Sequence, residues 1–231
     1  MKTMNQYLRT IVGTSLILAF TSTAVFAASP EGVWRGKLEV QNGIFLTIGY
    51  TIENGVLTLD SPNQGMFAKA PTSFTLSDNE LEFTDAQLSA SFKGEFEGDT
   101  LTGTFTQGKA YSLTLHRLDS EDLERMAFEG RYAGEMLVNR RTQLPLQVNV
   151  AVLHDGYYAT LDSPAQQSYG IPLTDFSIDA TQMSFSSPMI SASYSGTYAE
   201  GGYHGDFLQG QKRSLTLSKV AQGEEPAAAP K

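Results

Sequence analysis

The residues able to do chemistry in this chain are few. Histidine occurs at three positions, His116, His154 and His204, and cysteine is absent. Disulfides, thiolate metal sites and thiol nucleophiles are therefore excluded. His116 and His204 fall on outward or loop positions, with no histidine or carboxylate at ligand spacing, so no metal site is expected. His154 matches Ile52 in an earlier, similar stretch, and reads as an inward, hydrogen-bonded core histidine. No Gly-x-Ser-x-Gly elbow occurs, so serine-hydrolase chemistry has no nucleophile. Neither a catalytic constellation nor a cofactor motif is visible, and the chain reads as a non-enzyme. Paired carboxylates across a barrel mouth are the alternative.

Two polar motifs occur twice. Asp60-Ser61-Pro62 with Gln64 recurs as Asp162-Ser163-Pro164 with Gln166. These residues either grip a polar ligand at a rim or build a turn, with Asp and Ser accepting from backbone N–H groups and Pro fixing the bend. The turn reading is preferred, because a repeated fold needs its turns twice. Gln107 and Gln209 share strand faces with Phe105 and Phe207, so their amides are expected to point inward near a strand end. There they bond backbone or orient a ligand.

These matches are part of a duplication. Ser89 to Gly94 recurs as Ser191 to Gly196, Phe105-Thr106-Gln107-Gly108 as Phe207-Leu208-Gln209-Gly210, and Ser112 to Leu115 as Ser214 to Leu217, all at an offset of 102. Gly32 and Gly36 match Gly130 and Gly134 at an offset of 98. A four-residue insertion near Asn139 to Pro145 would reconcile the two offsets as a longer first hairpin loop. The organisation read from this is a leader (1–27), a first repeat (28–118), a charged linker (119–129), a second repeat (130–220) and a disordered tail (221–231).

Within each copy apolar and polar residues alternate. Ala90, Phe92, Gly94 and Phe96 face one way, and Ser91, Lys93, Glu95 and Glu97 the other. Turn signals such as Asn54-Gly55, Asp78-Asn79 and Gly98-Asp99 separate eight such strands per copy. The expected fold is all-β, two tandem eight-stranded antiparallel barrels, each closed so that its apolar face is buried and no edge is left. Paired β-sandwiches are the runner-up. The outward Lys, Glu, Ser and Thr argue against an outer-membrane barrel. Glycines within strands, Gly36, Gly94 and Gly103 and their counterparts, mark barrel bends.

The copies differ on the inward face. Trp34, Phe92, Phe96 and Leu101 become Tyr132, Tyr194, Tyr198 and Tyr203, and Ile52 is read as becoming His154. Buried tyrosine hydroxyls need partners. Any small-molecule site is therefore expected in the second copy, on Tyr132, His154, Tyr194, Tyr198, Tyr203 and Gln209. A structural water cluster there is the alternative.

Gly32-Val33-Trp34 resembles the Gly-x-Trp of lipocalins and related calycin barrels. That resemblance implies a last-strand arginine packed on the tryptophan, here Arg117, with Tyr132 and Lys219 in the matching places of copy two. A longer pattern runs through Gly32 to Gly36, Leu59 to Gln64, Phe92 to Gly94, Gly103 to Gly108 and Leu113 to Leu115. It is similar to a β-rich domain preceding the catalytic part of some secreted bacterial serine α/β-hydrolases. The hydrolase part is absent, and copy two departs at Gln167, where copy one has Gly65. The resemblance implies a fold and an accessory role, with no esterase chemistry.

Lys2 and Arg9, the apolar run from Ile11 to Phe20 and Val25-Phe26-Ala27 read as a secretory signal cleaved before Ala28, too short for a comfortable membrane span. Cleavage takes the formal charge from −9 to −11. So acidic a chain is a poor partner for nucleic acid. The expectation is a periplasmic or secreted binding module taking a small apolar or amphipathic molecule or an exported partner protein. The alternative is an accessory or relic domain of an exported α/β-hydrolase system.

Overall fold

The computed structural model describes residues 29–139 and 141–221. The expected leader, with its cleavage point, and the tail from residue 222 lie outside the described residues. The chain is all-β, with two antiparallel sheets of nine strands. The first sheet holds β1 (Gly32–Gln41), β2 (Ile44–Glu53), β3 (Val56–Ser61), β4 (Met66–Lys69), β5 (Ser73–Leu76), β6 (Glu80–Asp85), β7 (Ala90–Glu97), β8 (Thr100–Gln107) and β9 (Lys109–Arg117). The linker forms the helix α1 (Ser120–Arg125) and a single 3-10 turn at Met126–Phe128. The second sheet holds β10 (Gly130–Asn139), β11 (Thr142–Leu153), β12 (Gly156–Ser163), β13 (Ser168–Pro172), β14 (Thr174–Ile178), β15 (Gln182–Ser187), β16 (Ala192–Ala199), β17 (Gly202–Gln209) and β18 (Gln211–Lys219).

Nine strands replace the expected eight. The strands missed are β4 and β13, each following a 3-10 turn at Pro62–Gln64 or Pro164–Gln166. They are too short for alternation to show, and the register slips where each pairs with its neighbour. Gln167 takes the same left-handed conformation (φ 53°) as Gly65 (φ 70°), so the turn survives the substitution between copies.

Both sheets are meanders, ordered β4-β3-β2-β1-β9-β8-β7-β6-β5 and likewise in the second copy. First and last strands are hydrogen-bonded (Trp34 opposite Arg117, Tyr132 opposite Lys219), and the gap lies between the fourth and fifth strands. Close approach of β12 to β14, with the Leu173 amide donating to the Ala159 carbonyl at 3.0 Å, brings the second sheet nearly to closure. The first remains a half-barrel, which corrects the expectation of two closed barrels. The strands bordering its opening, β4 and β5, are four residues each, against five in β13 and β14, and offer less backbone to pair across it.

The seam between first and last strands depends on glycine. A Cβ on Gly36 would lie 2.2 Å from the Thr114 carbonyl oxygen, and one on Gly134 1.9 Å from that of Thr216. Each sheet wraps its own core, one around Trp34, Tyr50, Phe83 and Phe92, the other around Tyr132, Phe185, Tyr194 and Phe207.

The four-residue difference between copies is not in the first hairpin. Gln41 pairs with Ile44 and Asn139 with Thr142, so both first loops have the same length. Gly32 faces Ile52 and Gly130 faces Val150, so the counterpart of Ile52 is Val150. Tyr50 faces Leu59 and Val148 faces Leu161, which shifts the offset from 98 to 102 within the β11–β12 hairpin. That hairpin is longer by two residues on each arm.

The repeats pack through β1, β2 and the Pro62–Gln64 turn of the first and β10, β11 and β12 of the second. Lys37 of β1 places its ammonium 5.3 Å from the Phe45 ring centroid and 5.8 Å from that of Tyr158 on β12. Beside them Arg35, fully buried, pairs with Asp60 at 3.1 Å and with Glu129 of the linker at 3.4 Å. Glu129 also accepts from the Val152 amide at 2.8 Å. Burial pushes the Glu129 carboxyl above its ordinary range, an effect that Arg35 only partly offsets.

Candidate functional site

The two barrel ends that begin with Trp34 and with Tyr132 carry equivalent strands and different side chains. In the first repeat the indole N–H of Trp34 donates to the Pro30 carbonyl at 2.9 Å. The Arg117 guanidinium lies 4.4 Å from the Trp34 ring centroid, and Phe96 packs on the ring at 5.0 Å. Arg117 also donates to the carbonyls of Ser29 and Glu31 and pairs with Asp99 at 2.9 Å. Ring, cation and N-terminal backbone together seal this end.

In the second repeat the same end is open. Tyr132 is smaller than tryptophan, and the Lys219 ammonium lies 5.9 Å from its ring centroid, where the arginine plane of copy one stacks closer. A cavity of about 300 Å³ results, lined by Phe128, Tyr132, Tyr198, Tyr203, Leu217 and Lys219, with Gly201 and Gly202 at the hairpin beside them. That is the lower end of the range for small-molecule pockets.

The cavity walls are held by their own hydroxyls. Tyr132 donates to the Phe128 carbonyl at 2.9 Å, and Tyr203 to the Asp179 carbonyl at 2.6 Å. Tyr203 packs edge-on against Tyr132 (5.9 Å) and Tyr198 (5.1 Å). Burial raises the Tyr132 hydroxyl strongly and pushes that of Tyr203 up to about 12, so both are neutral donors at physiological pH. The ring of Tyr198, expected inward, is 49 % exposed, because it sits at the hairpin end where the strand leaves the barrel. Among the described residues no partner is assigned to its hydroxyl. Lys219 stands at the rim and donates to the Ala127 carbonyl at 2.7 Å. Among the described residues it is the only charged side chain lining the cavity, and burial holds its ammonium below the ordinary lysine range.

The other expected site residues lie elsewhere. Tyr194 is buried in the barrel centre, where its hydroxyl donates to the Tyr203 carbonyl at 2.6 Å. It props the strand that carries the cavity wall and does not line the cavity. Replacing it by phenylalanine removes this hydrogen bond from the barrel centre. The expected cost is about 1 kcal/mol in denaturant unfolding, with ligand affinity unchanged. Gln209 and Gln107 are exposed, contrary to the inward expectation. Their amides donate to the carbonyls of Ile190 (3.0 Å) and Leu88 (2.9 Å), tying down a loop at the opposite barrel end. The last residue of a strand lies past the core, so the strand's alternation no longer places it inside. Gln64 and Gln166 accept from Ser61 and Ser163 at 2.9 and 2.8 Å within their turns. Asp60 and Asp162 accept the backbone amides of Ala68 and Gly170, fixing β4 and β13.

His154 is not in the barrel interior. It occupies the tip of the lengthened β11–β12 hairpin, where its Nδ1 lies 3.1 Å from the buried Asp122 carboxylate of α1. Its ring stacks on that of His116 at 5.7 Å, so the hairpin, the helix and β9 meet there. Asp119, Asp122 and His154 bring ligand atoms within 4.8 Å of one another. The Asp122 carboxylate already accepts from Arg125 and from the amides of Asp119 and Asp155, so the cluster reads as a clasp between linker and second repeat. The hydrogen bond to Asp122 raises the pKa of His154. The stability this contributes is complete below the unfolded value of about 6.5 and is lost as pH rises through the raised folded value. Native protein is expected to lose unfolding midpoint across that window and a His154→Gln variant to stay flat, as read by denaturant unfolding at each pH.

Sequence reasoning missed Lys219 as a rim group and Arg35 as a buried one. Both lie at positions where a lysine or arginine ordinarily faces water. No protein-family model, curated protein or solved structure matches the chain.

Proposed function

We propose that the chain is an exported, non-catalytic binding module that holds a small amphipathic molecule at the open end of its second repeat. The observation that carries this reading is the contrast between equivalent ends. One is plugged by Trp34 and Arg117, while the other encloses about 300 Å³ between three tyrosines and a lysine. Aromatic walls supply apolar burial, and Lys219 and the Tyr198 hydroxyl supply the polar end. The secretory reading of the N-terminal segment supports export.

The test uses the duplication itself. Tyr132→Trp with Lys219→Arg rebuilds the first-repeat plug in the second repeat. Native mass spectrometry of protein taken from its own host is expected to show a retained small molecule, absent from the plugged variant. Equal retention by both forms, or no bound molecule in either, would overturn the reading. A co-purifying hydrolase chain in place of a small molecule would favour an accessory role.

A further inference from the structure

The geometry points to a small aromatic carboxylate as the chemical class held by the second-repeat cavity. This inference rests on the cavity being a binding site. Among the described residues Lys219 is the only charged group on the wall, and no carboxylate lines the cavity. Among the described residues its ammonium makes no ion pair, and its one partner is the Ala127 carbonyl. Two of three ammonium protons are thus left for water or a ligand. Glu129, outside the cavity wall, offsets part of the effect that burial has on the Lys219 ammonium.

The rest of the wall selects the body of the ligand. Tyr203 lies 5.9 Å from Tyr132 and 5.1 Å from Tyr198, and the three rings make a setting that favours a planar ring over a branched aliphatic group. A cationic ligand would also suit tyrosine faces, but the Tyr132 face is already occupied by the Lys219 ammonium. A second cation there would be repelled. A ring within the tyrosines and a carboxylate at the rim satisfy every group. The acidic chain gives an anion no long-range attraction. At physiological ionic strength that field is screened beyond about 8 Å, leaving the local cation to decide.

The probes are cinnamate and cinnamyl alcohol, matched in shape and different in charge. Each is titrated into purified protein and followed at the backbone amides of Tyr198 and Gly202 by NMR. Because Lys219 is partly exposed, a preference for the acid of about two- to fivefold is expected. That preference should vanish in Lys219→Gln. In the unaltered protein it should fade as pH is raised past the lowered Lys219 titration, a check that needs no variant. Equal affinity for acid and alcohol, or a preference that survives both manipulations, would overturn the anionic assignment and leave the cavity reading standing. Binding of neither probe, together with no retained molecule in the native protein, would overturn both.

Discussion

Replacing Arg35 by alanine is expected to lower the unfolding free energy by about 3–5 kcal/mol, the range for breaking a buried ion pair from one side. Arg35 is 2 % exposed and lies between Asp60 and Glu129, with its guanidinium 3.1 and 3.4 Å from their oxygens. Without it, two carboxylates remain in the contact between repeats and water cannot solvate either. Asp60 keeps the Ala68 amide and Thr51 hydroxyl, and Glu129 keeps only the Val152 amide. Glu129 is therefore the more stranded charge, in keeping with the upward push that burial gives it. Glu129→Gln added to the alanine variant should recover part of the loss, since an amide carries no charge to desolvate. Guanidinium denaturation reads both. Trp34 is the sole tryptophan, so its fluorescence reports the first repeat. A loss below about 1 kcal/mol would mean that water reaches the carboxylates.

Gly134→Ala should be nearly as damaging, by about 3 kcal/mol, the upper part of the range for inserting a methyl into a packed site. Its Cβ would sit 1.9 Å from the Thr216 carbonyl oxygen, a backbone atom that cannot swing aside. The strands β10 and β18 must then part. Two residues from Gly134 on β10, Tyr132 faces Lys219 on β18 across this seam, so parting the strands spreads the cavity. Cinnamate binding should be lost with the stability. Gly36→Ala is the matched control, because its Cβ would meet the Thr114 carbonyl at 2.2 Å in the first repeat. It should destabilise the Trp34-reported transition and spare binding. If Gly134→Ala kept full affinity, the seam would not position the cavity walls.

Much of the architecture was written in short-range pattern. Alternation located sixteen of the eighteen strands, and the matched motifs located two repeats and their linker. The aspartate and glutamine motifs make turn bonds that local sequence encodes, with those partners within about ten residues, while Asp60 also reaches Arg35 across the sheet. Three of the four tyrosine substitutions between copies, at Tyr132, Tyr198 and Tyr203, fall at the second-repeat cavity, and Tyr194 lies in the barrel centre. Inferences spanning the insertion also failed. Its position could not be read where the flanking residues differ between copies, so His154 was matched to Ile52, and register alone shows that Val150 holds that place.

By itself the sequence determined strand periodicity, duplication, turn chemistry and the aromatic replacements, all properties of neighbouring or matched residues. Only the tertiary structure decided the ninth strand, the half-open first sheet, the clasp of His154 on Asp122 and the buried Arg35 between repeats. It also decided that Lys219 stands at a cavity while Arg117 seals its equivalent. Each of these depends on which distant backbones meet and how closely. An outward-facing arginine, a hairpin-tip histidine and a terminal lysine look alike in sequence until a second surface either covers them or leaves them open.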